Sequence, residues 1–246
     1  MRRFFVEEMN AEDGRCTITG SEARHMLRVL RMGPGDHFIL MDGQGMRFLA
    51  VIESATRYEV SVILKKPLPQ NPPSPVEIVL CQAVLKSGPM DYLIQKTSEL
   101  GVNCIQPFTS ERTVVSLHEN RVENRLRHWR EIAKNAAKQS GRIAPVQIFR
   151  PVSIEELPAK WKQESGMKVI FWEEEETKHL KSLLRDSPQA EKFIGMVGPE
   201  GGFARKEISL CRDAGFVPVS LGNRILRAET AAITMVAVVQ YEWGDM

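Results

Sequence analysis

The stretch "KKPLPQNPPSP", residues 65–75, constrains the fold more than any other in the chain, because five of its eleven residues are proline. Proline lacks a backbone N–H and clashes with the preceding helical turn, so this segment can be neither a helix nor a central strand. It predicts an extended linker, with a domain over residues 1–70 and another over 71–246.

The two sides of the linker carry different rhythms. Before it lie short alternating runs, "RRFFV", "GRCTITG", "DHFILMDG", "RFLAVIESA" and "YEVSVILKK", separated by the turn signals "GPGD" and "DGQG". These read as strands of a small β-barrel, interrupted by one helical stretch, "SEARHMLRVLR". After it, apolar runs ("VEIVLCQAVL", "VNCIQPF", "VQIF", "KVIFWEE", "KFIGMVG", "PVSLG") alternate with helical patterns, the longest from about Arg121 to Ser140. That alternation predicts an α/β domain built on a mainly parallel sheet.

Composition excludes several classes. No apolar run reaches the ~18–20 residues of a membrane span. "MRRFFVEEMN" has no apolar core of the kind a secretory signal needs. The four cysteines are scattered with no CxxC pair, which reads as reduced thiols in a cytoplasmic protein. The five histidines, His118 among them, have no metal-ligand spacing, so no metal is expected. No GxSxG is present.

Two glycine-bearing loops stand out. "GPEGGF", residues 198–203, follows a predicted strand and precedes a helix, which is where open α/β sheets bind ligands. It matches neither the GxxxxGK[ST] nor the GxGxxG pattern, and Glu200 would repel phosphate. An acid there suits a cationic or hydroxyl-bearing ligand. "SLGNRILRAETAA", residues 220–232, has the same strand–loop–helix setting and carries Arg224, Arg227, Glu229 and Thr230. A plain turn explains either loop alone; two in one domain suggest the walls of one pocket.

The long helix carries a basic face. At ~100° per residue, Arg127, Arg130, Lys134 and Lys138 fall within an arc of roughly 80°. Between residues 121 and 150 there are eight Lys/Arg against two Glu, in a chain of net charge +2. Such a concentration favours a polyanion, above all a nucleic acid. Arg2, Arg3, Arg24, Arg28 and Arg31 extend this footprint into the first domain.

Taken together, "GPEGGF", "LGNRILRAETA", "IQKTSELGV" and "AAKQSGR" resemble the motifs of the RsmE family, the bacterial uridine-N3 methyltransferases of 16S rRNA. "RRFF" and "HMLRVLRMGPGD" resemble its N-terminal domain. Ala228 stands where that family often has threonine, and "KNAAKQSGR" has lysine and asparagine where acid is common.

The resemblance implies a PUA-like N-terminal barrel and a C-terminal α/β domain of the SPOUT type, tied in a deep trefoil knot. It implies a homodimer through the knotted domain, S-adenosyl-L-methionine as methyl donor, and 16S rRNA in the 30S subunit as substrate. The cofactor would lie among Phe171, Trp172, Glu173, Gly198, Pro199, Glu200, Gly201, Gly202, Leu221, Gly222, Ile225 and Leu226. Arg227 would stabilise the uracil oxygens, and Glu229 or Glu200 would take the N3 proton. Lys86 and Arg142 would join the arginines and lysines above in holding RNA. Other readings remain open at this point: a related methyltransferase of tRNA or large-subunit rRNA, an enzyme of small nucleotide-like metabolites, or a non-catalytic RNA-binding assembly protein.

Overall fold

The structure is a computed structural model that describes residues 1–6, 14–43, 45–69, 72–115 and 119–246. His118 and residues 70–71 of the proline-rich stretch lie outside the described residues. Two compact units result: Met1–Pro72 with Ala137–Pro145, and Pro73–Ala136 with Val146–Met246. The boundary falls within the proline-rich stretch. The departure from a simple two-part division is residues 137–145, which group with the first unit although they lie mid-chain.

The first unit is a five-stranded sheet in the order β1-β3-β4-β5-β2. Its strands are β1 (Arg3–Phe5), β2 (Arg15–Ile18), β3 (His37–Met41), β4 (Arg47–Ala55) and β5 (Val60–Pro67). β1 runs parallel to β3 and the other pairs are antiparallel. β1 and β2 end this strand order and do not pair with each other among the described residues. Alternate residues point inward, so Cys16 and Ile18, Phe38 and Leu40, Ala50 and Ile52, and Val60 and Val62 share one core with Phe4 and Met26. "SEARHMLRVLR" forms α1 (Gly20–Arg24), which runs on into a π-helical turn, His25–Val29. Arg31 leaves that turn at φ 51°, the left-handed region that non-glycine residues rarely occupy.

The second unit is an all-parallel sheet in the order β12-β10-β11-β6-β7-β8, with β9 also paired to β7. Its elements are β6 (Glu77–Ala83), α2 (Ser87–Glu99), β7 (Cys104–Thr109), α3 (Glu119–Ser140), β8 (Gln147–Ile148), β9 (Val152–Ser153), α4 (Leu157–Trp161), β10 (Met167–Phe171), α5 (Leu180–Asp186), β11 (Lys192–Val197), α6 (Arg205–Asp213), β12 (Val217–Val219) and α7 (Ala228–Trp243). Helices cover both faces, which is why β6 and β11 read as nearly unbroken apolar runs.

Alternation along the strands sorts the core into two layers. Ile78, Leu80, Phe193 and Val197 meet α2, α3, α5 and α7; Val79, Cys81, Ile194 and Met196 meet α4 and α6. Each large side chain so buried contributes about 1.5–3 kcal/mol. Gly195, mid-strand in β11, has a specific cause: a Cβ there would collide with Met235 Sδ of α7 and lie 3.0 Å from the Phe193 ring. The missing side chain lets α7 lie close on β11. The sequence therefore sends the chain down one face as α6, to the sheet edge as β12, and back across the other face as α7.

Candidate active site

Strand register assembles the site. β10 lies between β11 and β12, and Phe171 is level with Val197 on one side and Val219 on the other. The three loops that follow therefore leave from one edge of the sheet, which brings residues 172–179, 198–204 and 220–227 together. The first of these wraps the end of β12. Trp172 N–H donates to Val219 O (3.0 Å) on one side, while Ser220 N–H donates to Lys178 O (2.9 Å) and Leu180 N–H to Ser220 O (3.0 Å) on the other. His179 Nδ1 lies 2.7 Å from Ser220 Oγ and closes the wrap.

The glycine loop 198–204 has little internal order of its own. Gly202, at φ 69°, donates its N–H to Pro199 O at 3.0 Å. A side chain at 202 would collide with the Glu173 carboxylate, and one at 198 would meet the Phe203 ring at 3.0 Å. Thus Glu173, at the end of β10, and the bare backbone of Gly202 share one spot. Beneath them Gln82 is fully buried; its amide N–H groups face Ala83 O (3.0 Å) and Gly198 O (3.5 Å), while Oε1 has no partner among the described residues. Glu200 is exposed on the loop.

The neighbouring acids are committed elsewhere. Glu174 accepts from Arg205 (2.9 and 3.2 Å). Glu175 is held below the usual carboxylate range by the Thr177 hydroxyl at 2.5 Å, then by the Thr177 and Lys178 N–H groups and Arg212. Arg212 also sits 5.8 Å from the centre of the Trp172 ring.

The third loop is open. Gly222 adopts φ 111° with nothing within 4 Å of where a side chain would be. Ile225 is 89% exposed, an unusual place for a large aliphatic group. Leu221 and Leu226 are half-buried. Arg227 is the N-cap residue of α7, and Glu229 sits in its first turn, where the positive end of the helix dipole favours a carboxylate. Ala228 is buried under the helix start.

Four residues at this edge were not singled out by the sequence. Arg112 Nη1 donates to Gly201 O at 3.0 Å. Glu207, 3% exposed, accepts from Ala204 N–H (2.8 Å) and from Glu111 N–H (2.9 Å). Lys206 pairs with Glu111, which lowers the pKa of the acid and raises that of the amine. The Ala204–Glu207 spacing is half of a capping box and is the one signal that pointed to Glu207. The fourth is Gln82.

The basic residues divide into groups. On α3, Val122, Leu126, Trp129, Ala133, Ala136 and Ala137 are buried, and Arg127 and Arg130 are exposed opposite them. Arg130 also donates to Ile148 O at 3.4 Å, and Lys134 is half-buried. Lys138 departs from the expected face. Its side chain is 13% exposed and its ammonium is paired with Glu22, within the first unit. Arg3 likewise donates to Lys138 O (3.1 Å) and Gln139 O (3.0 Å), capping the carboxyl end of α3. Arg2, Arg24, Arg28 and Arg31 are exposed in the first unit, Arg142 is half-buried there, and Lys86 is exposed ahead of α2. Among the described residues no group of three or more metal-binding side chains occurs, and no helix is long and apolar enough to cross a membrane.

Comparison with known proteins bears on this edge of the sheet. The RNA methyltransferase domain family matches residues 72–240, and the RNA methyltransferase PUA domain family matches residues 18–65. A ribosomal RNA small subunit methyltransferase E of Mycobacterium tuberculosis is 31% identical over 96% of this chain and 90% of its own. The chain belongs to the ribosomal RNA small subunit methyltransferase E family. The enzyme of that name from Neisseria gonorrhoeae, solved with S-adenosyl methionine, is 32% identical with a TM-score of 0.88, covering 100% of this chain and 99% of that one. A methyltransferase from Legionella pneumophila, solved with bound SAM, is 33% identical with a TM-score of 0.91, covering 99% and 98%. The methyltransferase family, RNA methylation as activity and the two-domain order thus stand as the sequence motifs indicated.

Proposed function

We propose that this enzyme transfers a methyl group from S-adenosyl-L-methionine to N3 of one uridine of 16S rRNA, in the assembled 30S subunit, in the cytoplasm. The observation that carries the reading is the meeting of two glycine-bearing loops and the Glu173 carboxylate at the level ends of β10, β11 and β12.

The residues fit the cofactor. Gly202 lets the Glu173 carboxylate lie against bare backbone, Gly222 opens onto free space, and Ile225 and Leu226 offer an apolar wall. Glu173 and Glu200 suit a sulfonium cation and ribose hydroxyls and disfavour phosphate. Gly198, Pro199, Gly201, Leu221, Phe171 and Trp172 would complete the enclosure. When bound, the cofactor supplies an electrophilic methyl group.

The protein's tasks are orientation and proton removal. Uridine N3 carries a proton at neutral pH and lies on the pairing edge, so the base must be unpaired or flipped out. Glu229 or Glu200 takes that proton as the nitrogen attacks. Arg227 stabilises the negative charge that develops on the flanking oxygens. The exposed arginines of α3 and of the PUA domain hold phosphates and set the register.

The wrap of residues 172–180 around Ser220 supports a knotted C-terminal chain. Tyr92 on α2 (52% exposed) and Tyr241 on α7 (75% exposed) lie on helices packed together, and they support a homodimer formed through this domain.

The test is transfer of labelled methyl from S-adenosylmethionine to small subunits, and to naked rRNA, from a strain lacking this activity. Label at N3 of a single uridine, preferentially in subunits, is the expected result. Label on tRNA or large-subunit rRNA would overturn the substrate.

A further inference from the structure

Loop 198–204 must hold a ligand, yet three of its seven residues are glycine, and its one internal bond closes a single turn. Glycine loses more freedom on ordering than any other residue. The order of this loop is therefore imported. Arg112, from the loop after β7, donates to Gly201 O at 3.0 Å, and its Cβ lies 3.1 Å from where a side chain at 201 would begin. Glu207 bridges two loops with its two oxygens, one on Ala204 N–H at 2.8 Å and the other on Glu111 N–H at 2.9 Å. Phe203 stacks on Phe108, with centroids 6.2 Å apart and planes 6° from parallel. β6 separates β7 from β11 in the sheet, so these bonds join loops that strand pairing alone does not. The same segment lines a cavity of about 490 Å³ through Thr109, Ser110 and Thr113.

We propose that Arg112 and Glu207 are positioning residues for methyl transfer, which set loop 198–204 in its ligand-holding conformation by tying it to residues 109–113. The proposal rests on reading that loop as the S-adenosylmethionine site. An exposed arginine on an RNA enzyme would ordinarily be assigned to a phosphate. Here the guanidinium is directed to a backbone carbonyl of the glycine loop.

The test is equilibrium binding of S-adenosylmethionine without RNA, to the wild type and to Arg112→Ala, Arg112→Lys and Glu207→Gln. Wild-type binding checks the underlying reading by itself: its failure would overturn that reading and the proposal with it, whereas wild-type binding with unchanged binding by the variants would overturn the proposal alone. Arg112→Ala should weaken binding about tenfold, the equivalent of ~1.4 kcal/mol for one charge-assisted hydrogen bond. Arg112→Lys should recover part, since an ammonium can still donate to one carbonyl. Glu207→Gln should also weaken binding, because its amide turns a donor toward one of two N–H groups. Arg112 is exposed, so its variants should keep the wild-type melting temperature. Unchanged cofactor affinity, with a raised KM for RNA and a salt slope smaller by about one, would make Arg112 a phosphate contact and overturn the proposal.

Discussion

The two glycine-bearing loops occupy the same position in the fold and are built in opposite ways. Loop 198–204 is fastened to its surroundings by Gln82, Arg112, Glu207 and the Phe108–Phe203 stack. Loop 221–226 makes no hydrogen bond to the rest of the described chain, and it leaves Ile225 in solvent. Glycine at a strand end thus has two uses. In the first loop it lets neighbours press against backbone; in the second it permits φ 111° with nothing nearby. A fixed platform facing an open flap can admit a ligand from the flap side and hold it against the platform.

The sharpest way to break the comparison is to ask which side carries the base. Glu200→Gln alters the platform and Glu229→Gln the helix beyond the flap. One of the two should lower kcat by about 10²–10⁴ with little change in cofactor affinity, as loss of a general base does. Comparable small effects from both would remove the carboxylates from proton transfer.

Next in size is the pair Gly202→Ala and Gly222→Ala, read by calorimetry. Each forces a Cβ into left-handed backbone, at roughly 1–2 kcal/mol. At 202 the platform cannot relax and Glu173 is displaced, so the melting temperature should fall by several degrees. At 222 the loop can shift, so the melting temperature should hold while cofactor affinity falls. Equal melting shifts would mean that the flap is as fixed as the platform.

The effect most remote from the reaction concerns the layer behind the platform. Burial pushes the Cys211 thiol on α6 up to about 12 and the Cys104 thiol up to about 11, from an ordinary 9.0. Raised folded-state values mean that the unfolded chain loses these protons first. Stability is thus unaffected below pH 9 and falls above it, by up to ~1.4 kcal/mol per thiol per pH unit, until the folded thiols ionise. Denaturant midpoints at pH 8 and pH 10 check this, and Cys211→Ala should remove part of the alkaline loss.

Much of this was legible in the chain. Apolar runs and helical spacing located the strands and helices to within a few residues, because periodicity is a local property. β9, two residues long, had no such signal. The two loops also stood out in the sequence, since a plain turn explains either one alone but not two strand–glycine–helix junctions in one domain. What joins the loops was not. Nothing local to "SER" at 110–112 says that its arginine reaches Gly201, 89 residues on. Helical spacing likewise placed Lys138 on the arc of Arg127 and Arg130, but spacing gives an angle and not a neighbour. The last residues of the helix belong to the first unit, where Glu22 claims that ammonium.

The most direct test of the platform and flap is hydrogen–deuterium exchange with and without S-adenosylmethionine. In the free protein, amides of 221–226 should exchange at once, and those of Gly202 and Ala204, already bonded to Pro199 O and Glu207, should exchange slowly. Cofactor should protect 221–226 strongly and change 198–204 little. Saturating cofactor that protects neither loop, with protection elsewhere on the chain, would place the ligand away from these strand ends and contradict the account.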